Sequence, residues 1–209
     1  MTRLLIGFTL VASILAFATF SQAQTRSGAN EPVGMVIDVQ GAVTLTEAGK
    51  NSRLEALSYL RTQNEILLSA GATITVTWYA GSKELRFAGP ARLKVEPQGI
   101  RVTQGAPGQE RVLAEEKITP TKYLPPRLDG RLDQAGVRMR MAGPRPKAKE
   151  GELEAQREKL RPADGAPFGD WVVYALALEQ MGLTGEARGV WRNLSAQRPD
   201  DSRLRLLAR

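Results

Sequence analysis

The 209-residue chain contains neither cysteine nor histidine. Without cysteine there is no disulfide, no thiolate nucleophile and no Cys-based zinc site. A bacterial lipoprotein anchor is excluded for the same reason. Without histidine, Ser-His-Asp and Cys-His nucleophilic catalysis fall away, along with the commonest metal ligand. No phosphate-cradling glycine loop with a Lys-Ser/Thr ending appears, and no run of acids has calcium-loop spacing. Two adjacent carboxylate pairs occur, Glu115-Glu116 and Asp200-Asp201. General acid–base pairs must face each other across a substrate. Neighbours on a strand point to opposite faces, and acids at 200 and 201 suit the start of a helix. The chain therefore reads as a non-enzyme, with no catalytic residue, metal or cofactor.

Concentrated charge is lacking as well. The net charge of +7 is spread thinly: 12 basic and 10 acidic side chains in residues 24–124, 10 and 7 in 125–167, 6 and 5 in 168–209. Nucleic-acid binding needs a concentrated basic face, so no nucleic-acid partner is expected. A solvated, mixed-charge surface is expected instead, with room for weak contact to anionic lipid or glycan.

One long hydrophobic run is present. Met1-Thr2-Arg3 is a short basic start, Leu4 to Phe20 is apolar with small residues interspersed, and Ser21-Gln22-Ala23 places small residues three before and one before a cut at Gln24. This is the layout of a secretory signal peptide. The run is 17 residues long, short for a bilayer span of about 20; an uncleaved anchor is the alternative. The mature product is expected to be periplasmic or secreted, without a transmembrane helix.

From Val33 the texture changes to short strands. Val36 to Val39 ends at Gly41, and Ala42 to Thr46 is followed by a turn at Gly49 to Ser52. Ala72 to Tyr79 alternates, with Ile74, Val76 and Trp78 on one face and Thr73, Thr75 and Thr77 on the other. That period of two is the strongest strand signal in the chain. Leu85 and Phe87, then Ala91, Leu93 and Val95, continue it, with Gly89-Pro90 and Pro97-Gln98-Gly99 as punctuation before Ile100 and Val102. Leu54 to Leu68 reads as loop and short strands, with a helical turn as the alternative. Turns at this spacing indicate an all-β sandwich, barrel or solenoid.

Residues 33–103 resemble a FecR-type periplasmic β domain. The resemblance rests on V-I-D-V-Q-G-A-V-T-L, L-E-A-L-S-Y-L-R-T-Q-N-E-I-L-L, A-G-A-T-I-T-V-T-W-Y-A-G-S and above all R-F-A-G-P-A-R-L-K-V-E-P-Q-G. It covers about a third of the chain and implies a stack of short strands in the periplasm, with no catalytic site. FecR regulators carry a sigma-factor-binding segment and a membrane helix ahead of this domain. Here an export-type leader stands in that place, so a signalling regulator is the least favoured reading.

Residues 125–167 hold Pro125, Pro126, Pro144, Pro146, Pro162 and Pro167 among many charges, which predicts an extended, semi-stiff linker. Gly136 to Met141 reads as an edge strand, and Glu150 to Leu160 has good helix formers. Asp170 then suits the cap of a helix from Trp171 to about Met181. Gly182 suits its close, and Thr184 the cap of a second helix to Gln197. Pro199 stops that helix, and Asp200, Asp201 and Ser202 suit the start of a third bearing Leu204 and Leu207.

Residues 168–201 resemble a tetratricopeptide repeat. Trp171 and Ala175 stand at its Trp and small-residue positions, Ala187 and Trp191 reproduce A-x-x-x-F with Trp for Phe, and Pro199 follows. Tyr174, Leu178 and Leu194 depart from it, standing where the repeat has Leu, Tyr and Ala. Small residues at 175 and 187 let two helices approach closely. One repeat cannot bury its own face, so the hairpin should rest on the β domain, a second copy or a partner.

The expected organisation is segregated α+β: signal peptide 1–23, tail 24–32, FecR-like β domain 33–124, linker 125–167 and tetratricopeptide-like hairpin 168–209. The expected role is that of a non-catalytic interaction or scaffolding module of the bacterial cell envelope, with an unidentified envelope protein as partner and self-association left open. Its candidate contact residues are Trp171, Tyr174, Ala175, Leu178, Ala187, Trp191 and Leu194. The alternative is a polyanion-binding β domain, for lipopolysaccharide or peptidoglycan, using Arg86, Arg92, Lys94 and Arg101.

Overall fold

Apolar side chains at every second position make strands that are wet on one face and dry on the other, and two such sheets close on each other. A computed structural model of the chain describes residues 31–125, 128 and 150–209. The leader at 1–23, most of the tail and the edge strand expected at 136–141 lie outside the described residues.

The strands are β1 (Pro32–Gln40), β2 (Val43–Glu47), β3 (Lys50–Arg53), β4 (Tyr59–Arg61), β5 (Glu65–Leu68), β6 (Thr73–Trp78), β7 (Lys83–Ala88), β8 (Ala91–Glu96), β9 (Gly99–Gln104) and β10 (Gln109–Val112). They form two five-stranded antiparallel sheets, ordered β10-β7-β6-β1-β4 and β3-β2-β5-β8-β9. The inner faces share one core. Val36, Ile74, Val76, Trp78, Leu85 and Phe87 from the first sheet meet Val43, Leu45, Ile66, Leu68, Leu93 and Val95 from the second. The alternation read at 72–79 and 91–95 sets these registers directly. The segment 54–68 supplies β4 and β5, and Leu54, Leu57 and Leu60 are fully buried.

Two strands escaped the sequence reading. The stretch assigned to a turn at 49–52 holds β3, and β10 follows the loop at 105–108. All eight of their residues are exposed, so neither strand carries a hydrophobic pattern to detect.

The helices are α1 (Glu115–Ile118), running into a 3-10 turn (Thr119–Lys122), then α2 (Glu150–Leu160), α3 (Phe168–Met181), α4 (Thr184–Gln197) and α5 (Ser202–Leu207). Helix α2 coincides with the run of helix formers read at 150–160 within the linker, and its Leu160 is buried against the helical core. Helix α3 starts three residues before Trp171, with Pro167 at its N-cap. Asp170 does not cap it: its carboxylate meets Arg111 at 3.2 Å and Lys117 at 3.8 Å, while still facing the positive end of the helix. Gly182 closes α3 in the left-handed region at φ 81°. Thr184 is the first residue of α4 rather than its cap.

The helices lie on the outer face of the first sheet. Met35 and Ile37 of β1 are fully buried in one core with Ala175, Leu178, Trp191, Leu204 and Leu207, while Val36 between them points into the sandwich. Polar bonds stitch the seam. Gln180 Nε2 donates to the Pro120 carbonyl at 2.8 Å, and Arg198 reaches Asp38 at 3.2 Å. The Tyr79 and Tyr59 hydroxyls donate to the carbonyls of Thr121 and Lys122. Asp201 accepts the Ala56 N–H at 2.8 Å and caps α5 through the N–H groups of Arg203 and Leu204, both at 3.0 Å.

Two outcomes follow from this seam. A Cβ on Gly169 would stand 2.6 Å from Cδ1 of the buried Ile37. Gly169→Val should therefore destabilise the protein by about 1–3 kcal/mol through overpacking. Combined with Ile37→Val, it should lose less than the sum of the two single effects in urea unfolding; strict additivity would place the two groups apart. Asp201→Ala removes a cap and orphans a buried N–H, at a cost of about 2–4 kcal/mol. Thermal unfolding should show a lowered Tm, and an unchanged Tm would contradict the latch.

Candidate interaction surfaces

The hairpin residues divide into core and surface. Ala175, Leu178, Ala187, Trp191 and Leu194 are at most 1% exposed, and Tyr174 is 6% exposed. They belong to the buried core that holds α3 against α4, and of them Tyr174 and Leu178 also line the groove described next. Small residues at 175 and 187 permit the close approach, and Trp191 fills volume, its Nε1 buried without a hydrogen-bond partner. Of the seven residues, Trp171 alone is only partly buried.

Trp171 packs edge-on against Tyr174, with ring centroids 6.0 Å apart. Together with Leu178 and Val190 they floor an open groove of about 600 Å³ between α2, α3 and α4. Arg157, Arg161 and Arg192 stand around it, against one acid, Glu186. Arg157 is engaged by Glu186 and by Glu154, each at 3.4 Å. Among the described residues, Arg161 and Arg192 have no acidic partner. The Tyr174 hydroxyl titrates above its ordinary range, chiefly because burial disfavours the phenolate and next because Glu186 lies near. A second, apolar trough of about 440 Å³ runs on from the first, sharing Trp171, Val190 and Asn193 and reaching Ala196. The sequence singled out Trp171, Tyr174 and Leu178 of the first groove's lining residues. Its arginines come from α2 and the far side of α4, which no local pattern connects.

The four basic residues of the alternative reading do not form one face. Arg92, Lys94 and Arg101 lie on the outer face of the second sheet, where Lys94 is registered between Glu65 and Arg101. Arg101 is held by Glu96 at 2.7 Å. Arg53 joins this face, in the cross-strand row that runs through Thr44, Leu67 and Arg92. Arg86 belongs to the first sheet and opens instead into a cleft of about 580 Å³ beside the start of α3. That cleft balances Arg86, Arg111 and Arg198 against Asp38, Glu84 and Glu110, so it has no strong sign.

One member of each adjacent carboxylate pair has a structural partner. Glu115 and Glu116 sit on a helix, not on a strand, and Glu116 meets Lys159 at 3.1 Å. Asp201 caps α5, where burial pushes its carboxyl upward while the three N–H bonds oppose that shift. Among the described residues, no group of three or more Asp and Glu side chains is placed to hold a metal, and no helix is long and apolar enough to cross a membrane. No protein family, curated protein or solved structure matches the chain.

Proposed function

We propose that the chain is an exported cell-envelope protein that acts as a non-catalytic interaction or scaffolding module, with its docking surface on the helical layer. The observation that carries this reading is the two-sidedness of that layer. Gly169 of α3 is set against Ile37 and Gln180 against Pro120. Trp171 and Tyr174 turn away from that seam toward an open aromatic groove. A partly buried Trp beside arginines that have no acidic partner among the described residues matches the composition of binding hot spots. The leader pattern at 1–23 supports export, and the resemblances of 33–103 to a FecR-type domain and of 168–201 to a tetratricopeptide repeat support an envelope module.

A second reading has its own support. Arg53, Arg92, Lys94 and Arg101 share one outer sheet face, which favours contact with a polyanionic envelope polymer. Glu65 and Glu96 on or beside that face weaken it. Signalling of the FecR type ranks last, because the pattern at 1–23 reads as an export leader.

Photo-crosslinking in cells separates the two readings. A benzophenone side chain at position 171 should give discrete protein adducts, on a chain whose intact mass starts at Gln24. The same probe at position 94 should give few. Polymer adducts at 94 with none at 171 would move the site to the β-sandwich, and a mass starting at Met1 would contradict export.

A further inference from the structure

Resting on the interaction-module reading, we infer that the groove between α2, α3 and α4 takes an acidic peptide segment of a partner protein, seated by one large apolar side chain beside Trp171.

The floor and the rim ask for different chemistry. Trp171 is half-buried and fixed edge-on against Tyr174, so a side chain laid against it meets a surface already ordered. Apolar burial at such an anchor is favourable and adds little ordering cost. The rim is unbalanced. Glu186 is answered by Arg157, which leaves Arg161 and Arg192 without acidic partners among the described residues. Guanidinium groups bind carboxylates through paired hydrogen bonds, so a ligand bringing carboxylates to both rims gains twice.

Gly189 adds an independent sign. A mid-helix glycine weakens a helix relative to alanine. Among the described residues nothing lies within 4 Å of where its Cβ would stand, so no described contact requires it. It lines the groove and leaves the α4 backbone bare, which admits another chain at close range. The groove and the trough beside it share Trp171, Val190 and Asn193. Together they make an elongated track suited to a chain segment rather than to a small compact ligand.

Charge decides among occupants. The chain's own residues 126–149 carry seven basic and two acidic side chains, the wrong sign for this rim. Two arginines are too few for a nucleic-acid backbone, which calls for a broad basic face.

The test is a selection from a random peptide display library on the immobilised mature chain, residues 24–209, followed by anisotropy titration of the enriched peptides. Enriched sequences should be acid-rich around a Trp, Phe or Leu. Arg161→Glu combined with Arg192→Glu should weaken them at least tenfold, and raising salt from 0.05 to 0.5 M should weaken them too. Gly189→Leu fills the groove at a site with room for it, so it should block binding at least tenfold while Tm stays level or rises. Basic or neutral enriched sequences, or binding indifferent to both variants, would overturn the inference. If discrete protein adducts still formed at position 171, the interaction-module reading would survive that failure. A concentration-dependent dimer abolished by Gly189→Leu would replace the peptide with a second copy.

Discussion

Strand β1 is dry on both faces, and the rest of the architecture depends on it. Val36 completes the core of the sandwich, while Met35 and Ile37, each fully buried, face the helices. Burial of such side chains is worth about 1.5–3 kcal/mol apiece. A sheet whose outer face carries Met35 and Ile37 must be covered, and α3 covers it, approaching closely because Gly169 has no side chain. A lone helical pair that cannot bury its own surface thereby acquires a support. The Asp201 carboxylate, shared between the Ala56 N–H and the α5 cap, and the Arg198–Asp38 pair fix the orientation.

This arrangement commits one side of the helical layer and leaves the other open. The Trp171–Tyr174 pair therefore sits on a rigid foundation rather than on a tethered hairpin, and the arginines of α2 and α4 are brought beside it. The outer face of the second sheet, by contrast, holds mixed charges in cross-strand register around one exposed apolar residue, Leu67. Placing the helices on the first sheet also separates Arg86 from Arg92, Lys94 and Arg101.

The inner strands were readable because their alternation is strict: Ile74, Val76 and Trp78, then Leu93 and Val95, face one core. The helical pair was readable from Gly182, Pro199 and the small residues at 175 and 187. The double burial of β1 was not. A continuous run such as Met35-Val36-Ile37 reads equally as any buried strand, and what covers its second face is a long-range fact. The edge strands β3 and β10 have exposed side chains throughout and left no pattern. Of the candidate contact residues, six are the interior of the hairpin, because the spacing that makes two helices pack is indistinguishable in sequence from a spacing that serves a partner. The groove's rim is assembled from elements distant in the chain.

The central claim is that the sandwich and the helical layer form one cooperative body. Native-state hydrogen exchange tests it most directly, because regions that open separately exchange at separate free energies. Amides in the middle of α3 and α4 should be protected to the same opening free energy as those of β1 and β6, and all should exchange through one global unfolding. Helical amides that exchange through a markedly cheaper opening, while β1 and β6 stay protected, would contradict the account and return the hairpin to the status of an independent appendage.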